Sequence, residues 1–266
     1  MSYTIVFFHA HPDDESIATA GSMARAKHDG HRVILVSATR GELGEFAPDA
    51  LAPGESLVDR RVAELHAAAE VLGVDRVEFL GYRDSGMAGE PTNDDPEAFW
   101  QADIDEAAGR LARLLEEEHA DVLTVYDDHG NYGHPDHVQV HRVGVRAAEL
   151  AGTPRVYEAT MNRDHIRRLM ELVPFEGPDA PESPADIETL GSTEDLITTT
   201  IDVRDFVDAK RKAMIAHASQ IPDDSFFLQL PLDAFREAFG WEWYIRRDGP
   251  RTMHETSLFD GLDERV

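Results

Sequence analysis

Thr4-Ile5-Val6-Phe7-Phe8-His9-Ala10-His11-Pro12-Asp13-Asp14-Glu15 decides the fold. Thr4 to Phe8 is a short apolar run, His9 to His11 close it, and Pro12 stops it, so it reads as a buried strand. Small and apolar positions from Ser16 to His28 predict a helix, with Gly30 just beyond its end. The same alternation recurs downstream. Arg32 to Ser37, Arg76 to Leu80, Asp121 to Tyr126 and Arg155 to Thr160 read as further buried strands. Between them, Val58 to Leu72 repeats Val62, Leu65, Ala69 and Leu72 at helical spacing and ends at Gly73. Ile104 to Leu115 forms the clearest part of a helix within 96–119, and Pro135 to Leu150 is a helix with proline in its first turn. Nearly continuous apolar strands alternating with helices predict an α/β fold: a Rossmann-like three-layer sandwich with a mostly parallel sheet. Ligands of such sheets bind beyond the carboxyl ends of the strands. The polar clusters fall there: 9–15, 39–45, 82–86 and 127–137.

The 266 residues suit a single domain, 1–266, with its core at 4–160 and no internal repeat. The stretch from Pro174 to Glu194, rich in Pro, Glu, Asp and Ser, reads as a surface loop. Beyond it, a strand is expected over 197–203, a helix over 207–217, and a short helix plus strand over 232–245. Phe226, Phe227, Phe235, Phe239, Trp241 and Trp243 gather near the C-terminus; they read either as packing or as a wall of a substrate cleft or subunit interface.

The chain has no cysteine, which excludes disulfides, thiolate metal sites and cysteine nucleophiles. No apolar run reaches membrane-spanning length, and the N-terminus lacks a signal-peptide pattern, so a cytoplasmic protein with no membrane partner is expected. The net charge of −27, from 52 acidic and 25 basic residues, argues against nucleic-acid binding. Only Lys27, Lys210 and Lys212 are lysines. Acid excess with scarce lysine reads as a surface adapted to high salt; an acidic mesophilic protein is the other reading. A homo-oligomer stays open.

Three consecutive acids, Asp13, Asp14 and Glu15, are costly to crowd behind a buried strand without a positive partner. One divalent ion held by His11 and Asp14 supplies it, and Asp13 can then reach the activated water as general base. On this stretch alone a helix cap by Asp13 or Asp14 explains the acids equally well. The second cluster, His129-Gly130-Asn131-Tyr132-Gly133-His134-Pro135-Asp136-His137, tips the balance. His134 and His137 stand three apart and can face one cleft. Two histidines, one carboxylate and water make the open geometry of a catalytic metal. His9 reads as a packed residue rather than a ligand, and His141 as structural.

AHPDDE at 10–15 together with YGHPDH at 132–137 resembles the LmbE-like or PIG-L family of zinc-dependent deacetylases. TRGELGE at 39–45, RRVAEL at 60–65, GYRDSGM at 81–87 and HASQ at 217–220 follow in the order found in family members acting on N-acetylglucosaminyl-inositol and mycothiol-type substrates. The resemblance implies His11, Asp14 and His137 as ligands of zinc, with ferrous iron as the alternative. It implies Asp13 as general base, His134 as the residue that stabilises or protonates the intermediate, Asp136 as the carboxylate holding that histidine, and Tyr132 as an oxyanion donor. Arg61 and Asp84 match residues that grip sugar hydroxyls.

Amidases acting on mycothiol conjugates carry a lysine shortly after AHPDDE. Ile17, Ala18 and Thr19 stand here instead, which argues against that activity, and Met87 matches the deacetylase side. The expected reaction is removal of acetyl from an N-acetylated amino sugar. Rivals are an N-acetylchitooligosaccharide (diacetylchitobiose-type) deacetylase, a metal-containing sugar-binding protein without turnover, and a non-haem iron oxygenase.

Overall fold

The computed structural model describes residues 1–47, 50–172 and 187–262. Its framework is a seven-stranded sheet in the order β3-β2-β1-β4-β5-β7-β6. In chain order the elements are β1 (Thr4–His9), α1 (Asp14–Ala18), α2 (Ala20–His28), β2 (Arg32–Ser37), α3 (Leu57–Leu72), β3 (Arg76–Phe79), α4 (Ile104–Glu117), β4 (Val122–Tyr126), the short α5 (Gly130–Gly133), α6 (Pro135–Ala151), β5 (Arg155–Thr160) and α7 (Arg163–Leu172). They continue with β6 (Thr199–Asp202), α8 (Val207–Ala216), α9 (Phe226–Gln229), α10 (Leu232–Phe239) and β7 (Trp241–Arg246). The first five strands are mutually parallel. β7 runs antiparallel to β5, and β6 antiparallel to β7.

Alternation along β1 sends its side chains to both faces, as a strand covered on each side requires. Ile5 and Phe7 join Met23 of α2, Leu65 of α3 and Ala213 of α8, while Val6 and Phe8 join Leu111 of α4 and Val140 of α6. This is the three-layer α/β sandwich the strand pattern predicts. The helix ends follow local chemistry. Ser56 accepts from the Asp59 amide and Gly73 closes α3 at φ 73°. Asp103 caps α4 through the Glu106 amide at 2.9 Å.

The single helix expected from Ser16 to His28 is two. Thr19 leaves helical geometry at φ −136°, and its hydroxyl lies 2.8 Å from His9 Nε2. That bond fixes His9 as a packed residue, with its Nδ1 2.8 Å from the Tyr126 hydroxyl. Of the expected loop 174–194, residues 174–186 lie outside the described residues. The described remainder is partly interior, since Ile187 and Ser192 are buried and the Gly191 amide donates to the Asn131 carbonyl at 2.7 Å. Among the described residues no helix is long and apolar enough to cross a membrane.

Strand order reverses between β1 and β4: the chain proceeds from β1 to β2 on one side and reaches β4 on the other. A crevice at the carboxyl ends of these two strands follows from that reversal. The turns after them carry 10–15 and 127–137.

Candidate functional site

β1 ends at His9, and the turn that follows delivers His11, Asp13 and Asp14 to the crevice. β4 ends at Tyr126, and the kinked α5 and the start of α6 deliver Tyr132, His134 and His137 to the same cavity. Arg61 from α3 and Asp84 from the segment after β3 also line it. Of the expected metal, catalytic and sugar-binding residues, Asp136 alone stays behind the cavity wall, fully buried; of the C-terminal aromatics, Phe235 does the same.

Asp14 lies between two imidazoles. Its Oδ2 is 3.3 Å from His11 Nδ1 and its Oδ1 is 3.3 Å from His137 Nε2. Direct charge-assisted hydrogen bonds run about 2.7–2.9 Å. Donors each about 2.0–2.1 Å from one tetrahedral ion sit roughly 3.3 Å apart. The observed spacing therefore suits a shared cation. His11 Nε2 is 3.1 Å from Asp136 Oδ2, the carboxylate-to-imidazole backing typical of metal-binding histidines. His137 stacks on Tyr126 with ring centroids 4.2 Å apart, and its buried Nδ1 has no hydrogen-bond partner among the described residues. Single donor atoms of His11, His134 and His137 fall within 4.8 Å of one another, as do those of His11, Asp84 and Asp136, whereas Asp14 reaches His11 and His137 through different oxygens. The residues present fit a divalent ion.

The cap reading of Asp13 is not what the structure has. Asp13 precedes α1 without a side-chain cap bond and adopts φ 120°, a strained value for a non-glycine residue. Its amide donates to Glu15 Oε2 at 3.0 Å, and its Oδ1 accepts from Arg61 Nη2 at 3.2 Å. Burial pushes the Asp13 carboxyl up to about 6, with Arg61 opposing and Asp14 adding to the rise. Glu15 is fully buried and meets His217 Nε2 at 2.5 Å. Burial lowers the His217 pKa, but the Glu15 carboxylate outweighs it and the net shift is upward. The HASQ segment thus anchors the turn from below: His217 holds Glu15, and Ser219 bonds Glu64 through Oγ at 2.6 Å.

Arg61 is buried, and its hydrogen bonds go to the loops around Asp13. Its guanidinium donates to Gly41 O at 2.8 Å, Pro12 O at 2.7 Å and Asp13. A Cβ at Gly41 would lie 2.2 Å from Arg61 Cζ, and one at Gly44 2.3 Å from Arg61 Nη1. The glycines of TRGELGE make room for this guanidinium. Asp84 accepts from the amides of Gly86 at 2.9 Å and Leu43 at 3.2 Å. Burial raises its pKa, but His11 and these amides overcome that and hold it well below the usual carboxylate range.

The expectation that the Asp136 carboxylate holds His134 is corrected. That carboxylate is engaged by His11 Nε2, the Ser85 amide at 3.0 Å and the Ser85 hydroxyl. His134 is held by the Asp136 backbone instead, whose amide donates to His134 Nδ1 at 3.1 Å. With Nδ1 accepting, the ring proton of neutral His134 sits on Nε2. Burial, together with the nearby His11 and His137, pushes its pKa down to about 4. Tyr132 is 45% exposed, and its hydroxyl lies 3.4 Å from His137 Nε2. Ser85, Tyr126 and the Glu15–His217 pair were missed as site residues. GYRDSGM holds Ser85, AHPDDE holds Glu15 and HASQ holds His217, but no motif held Tyr126, and spacing along the chain does not reveal contacts between distant loops.

Residues 6–148 match the PIG-L family, described as GlcNAc-PI de-N-acetylase. The chain is 40% identical to the 1D-myo-inositol 2-acetamido-2-deoxy-alpha-D-glucopyranoside deacetylase of Thermomonospora curvata, over 97% of this chain and 96% of the relative. It is likewise 40% identical to the protein of the same name from Acidothermus cellulolyticus, over 99% of this chain and 96% of that one. In fold it is similar to N,N'-diacetylchitobiose deacetylase from Pyrococcus horikoshii, with a TM-score of 0.61 at 19% identity, over 92% of this chain and 84% of the other. The chain belongs to the PIG-L family of de-N-acetylases.

Proposed function

We propose that this hydrolase removes the acetyl group from an N-acetylated amino sugar of the N-acetylglucosaminide type, with His11, Asp14 and His137 holding zinc, or ferrous iron in its place. The observation that carries the reading is the position of Asp14 between His11 and His137, beside an Asp13 carboxylate with no capping duty. The relatives' activity on an acetamido sugar supports it. When bound, the ion supplies Lewis acidity for the acetyl carbonyl and acidifies water.

Asp13 takes the proton of the attacking water. A carboxyl raised to about 6 is largely ionised at neutral pH, yet basic enough to accept that proton and pass it to the departing amine. Arg61 aims Asp13 through its bond to Oδ1. His134, neutral and donating from Nε2, stabilises the negative charge that develops on the acetyl oxygen. Tyr132 adds a second donor; the residue is partly exposed, but the burial of its hydroxyl end beside Asp14 keeps that group protonated. Asp136 acts through His11, fixing the orientation of that ring. Arg61 and Asp84 bind sugar hydroxyls with whatever hydrogen-bonding capacity their protein partners leave.

The test is acetate release from N-acetylglucosamine, its inositol glycoside and diacetylchitobiose, with metal content measured on the same sample. Acetate with one equivalent of metal is expected, and His137→Ala should lose both together. Full metal occupancy in His137→Ala overturns the ligand set, and absence of acetate from every sugar overturns the reaction.

A further inference from the structure

The cavity around the reacting centre encloses about 660 Å³ and has two chemically different ends. One end, lined by Glu45, Arg61, Asp84 and Glu90, is charged. The other is built by Ile166 and Leu169 of α7, Phe227 of α9, Phe239 of α10, and Trp241 and Trp243 of β7. All six are half-buried, so each turns part of its apolar surface to the cavity rather than into the core. Trp241 and Trp243 are two apart on one strand and share a face, while Glu242 and Tyr244 between and beyond them are buried on the other. Trp243 pairs with Thr160 at the carboxyl end of β5, so this wall adjoins the ends of the parallel strands.

The charged groups at the apolar end are already satisfied. Lys210 Nζ donates to Glu242 Oε1 at 2.6 Å, and Glu242 also accepts the amides of Gly21 and Ser22, both at 2.8 Å. Asn162 Oδ1 accepts from the His165 amide. His165 packs against Trp243 with ring centroids 4.8 Å apart, and its buried Nε2 has no hydrogen-bond partner among the described residues; the indole N–H groups of Trp241 and Trp243 are further donors at this end. A polyhydroxylated ring entering here would find few polar partners for its hydroxyls against these aromatic and aliphatic walls. An apolar group would gain by burial against surfaces that water now covers.

We propose that this arm binds an apolar aryl or alkyl substituent of the substrate, carried on the amino sugar as its aglycone or as a lengthened N-acyl chain. The inference rests on the deacylase reading for what occupies the charged end.

The experiment compares primary-amine release from the methyl, phenyl and inositol glycosides of N-acetylglucosamine and from methyl N-octanoylglucosaminide. A kcat/KM about 10- to 100-fold higher than for the methyl N-acetyl glycoside is expected for the phenyl glycoside, the octanoyl sugar or both. The phenyl arm assigns the group to the aglycone side and the octanoyl arm to the acyl side. In Trp243→Ser and Phe239→Ser the ratio should collapse toward one. An inositol glycoside better than both apolar substrates, or a ratio unchanged in both variants, overturns the proposal. Two of the three tryptophans line the arm, so fluorescence titration of the unaltered protein reads binding directly. If no sugar releases amine, the deacylase reading falls alone, and the titration decides the arm. Quenching by the phenyl glycoside or the octanoyl sugar at lower concentration than by the methyl N-acetyl glycoside upholds it; equal titrations sink it.

Discussion

The reacting centre and the aromatic arm occupy one cavity but are built in opposite ways. The centre draws His11, Asp13 and Asp14 from one turn and Tyr132, His134 and His137 from another, each following a parallel strand directly. The arm draws one or two residues each from α7, α9, α10 and an antiparallel strand, all within 166–243. At the strand ends the chain must turn and backbone groups need polar partners, so chemistry collects there in contiguous motifs. The wall needs only shape and apolarity, which scattered residues supply. Reaction and specificity are thus separable in this fold, and substitutions should separate them.

The largest effect belongs to the centre. Asp13→Ala should lower kcat by roughly 10²–10⁴-fold while retaining the metal. The thermal midpoint should change little, since the variant removes a buried carboxylate but keeps the strained backbone at φ 120° and leaves Arg61 one partner short. A rate near that of the parent, or a protein that arrives without metal, refutes the assignment.

The mirror-image variant lies under the arm. Lys210 and Glu242 are both buried, and their pair ties α8 to β7 while Glu242 holds the first residues of α2. Lys210→Met leaves that carboxylate short of its countercharge and should cost about 3–5 kcal/mol in denaturant unfolding. Metal content per folded molecule should stay unchanged. A loss under about 1 kcal/mol would mean the amides of Gly21 and Ser22 suffice for Glu242.

The same contrast explains what the sequence disclosed. The five parallel strands and the two site turns were legible because each is a local pattern: an apolar run, then a polar cluster containing His, Asp and Gly. Thr19 hid the break between α1 and α2, since its cause is a bond to His9, ten residues away. The Asp136 carboxylate pairs across 125 residues with His11, and Arg61 across 48 with Asp13, so neither partner was readable from neighbours. The C-terminal aromatics were visible as a group. Choosing between packing and cleft wall required the antiparallel register that sets Trp243 beside Thr160.

Salt should act on the whole molecule rather than on either end. With a net charge of −27, self-repulsion falls as the screening length shortens from about 10 Å at 0.1 M to about 3 Å at 1 M. The thermal midpoint should climb by about 5 °C between 0.1 M and 2 M KCl, roughly 2 kcal/mol for a chain of this size. A flat or falling midpoint contradicts the reading of a salt-adapted surface.

Gly41→Ala probes the support beneath Asp13. The new methyl would sit 2.2 Å from Arg61 Cζ, and φ +66° adds backbone strain of about 1–2 kcal/mol. If Arg61 aims Asp13, kcat should fall several-fold even where the variant is fully folded. An unchanged kcat with a lowered midpoint would leave Arg61 as packing alone.

The smallest effect lies at the opposite edge of the sheet, where β2 and β3 begin. Glu118 accepts from Arg32 Nε at 2.7 Å and from Arg76 Nη1 at 2.7 Å. The Arg32 bond leads, with Arg76 adding to it against the effect of burial, and the carboxyl is held down at about 2. A folded-state pKa below the ordinary carboxylate value means the contribution is full above about pH 4.5 and disappears as pH falls through about 2. Arg32 is 43% exposed, so solvent screens the pair and reduces its worth to about 0.5–1 kcal/mol. Glu118→Gln should therefore be less stable than the parent at pH 6, and the gap should close as the pH approaches 2. Molar salt should narrow it at every pH, against the global rise in stability that salt produces. A gap that persists unchanged down to pH 2 would show that the neutral amide fails through geometry rather than charge, and the electrostatic account of this edge would go with it.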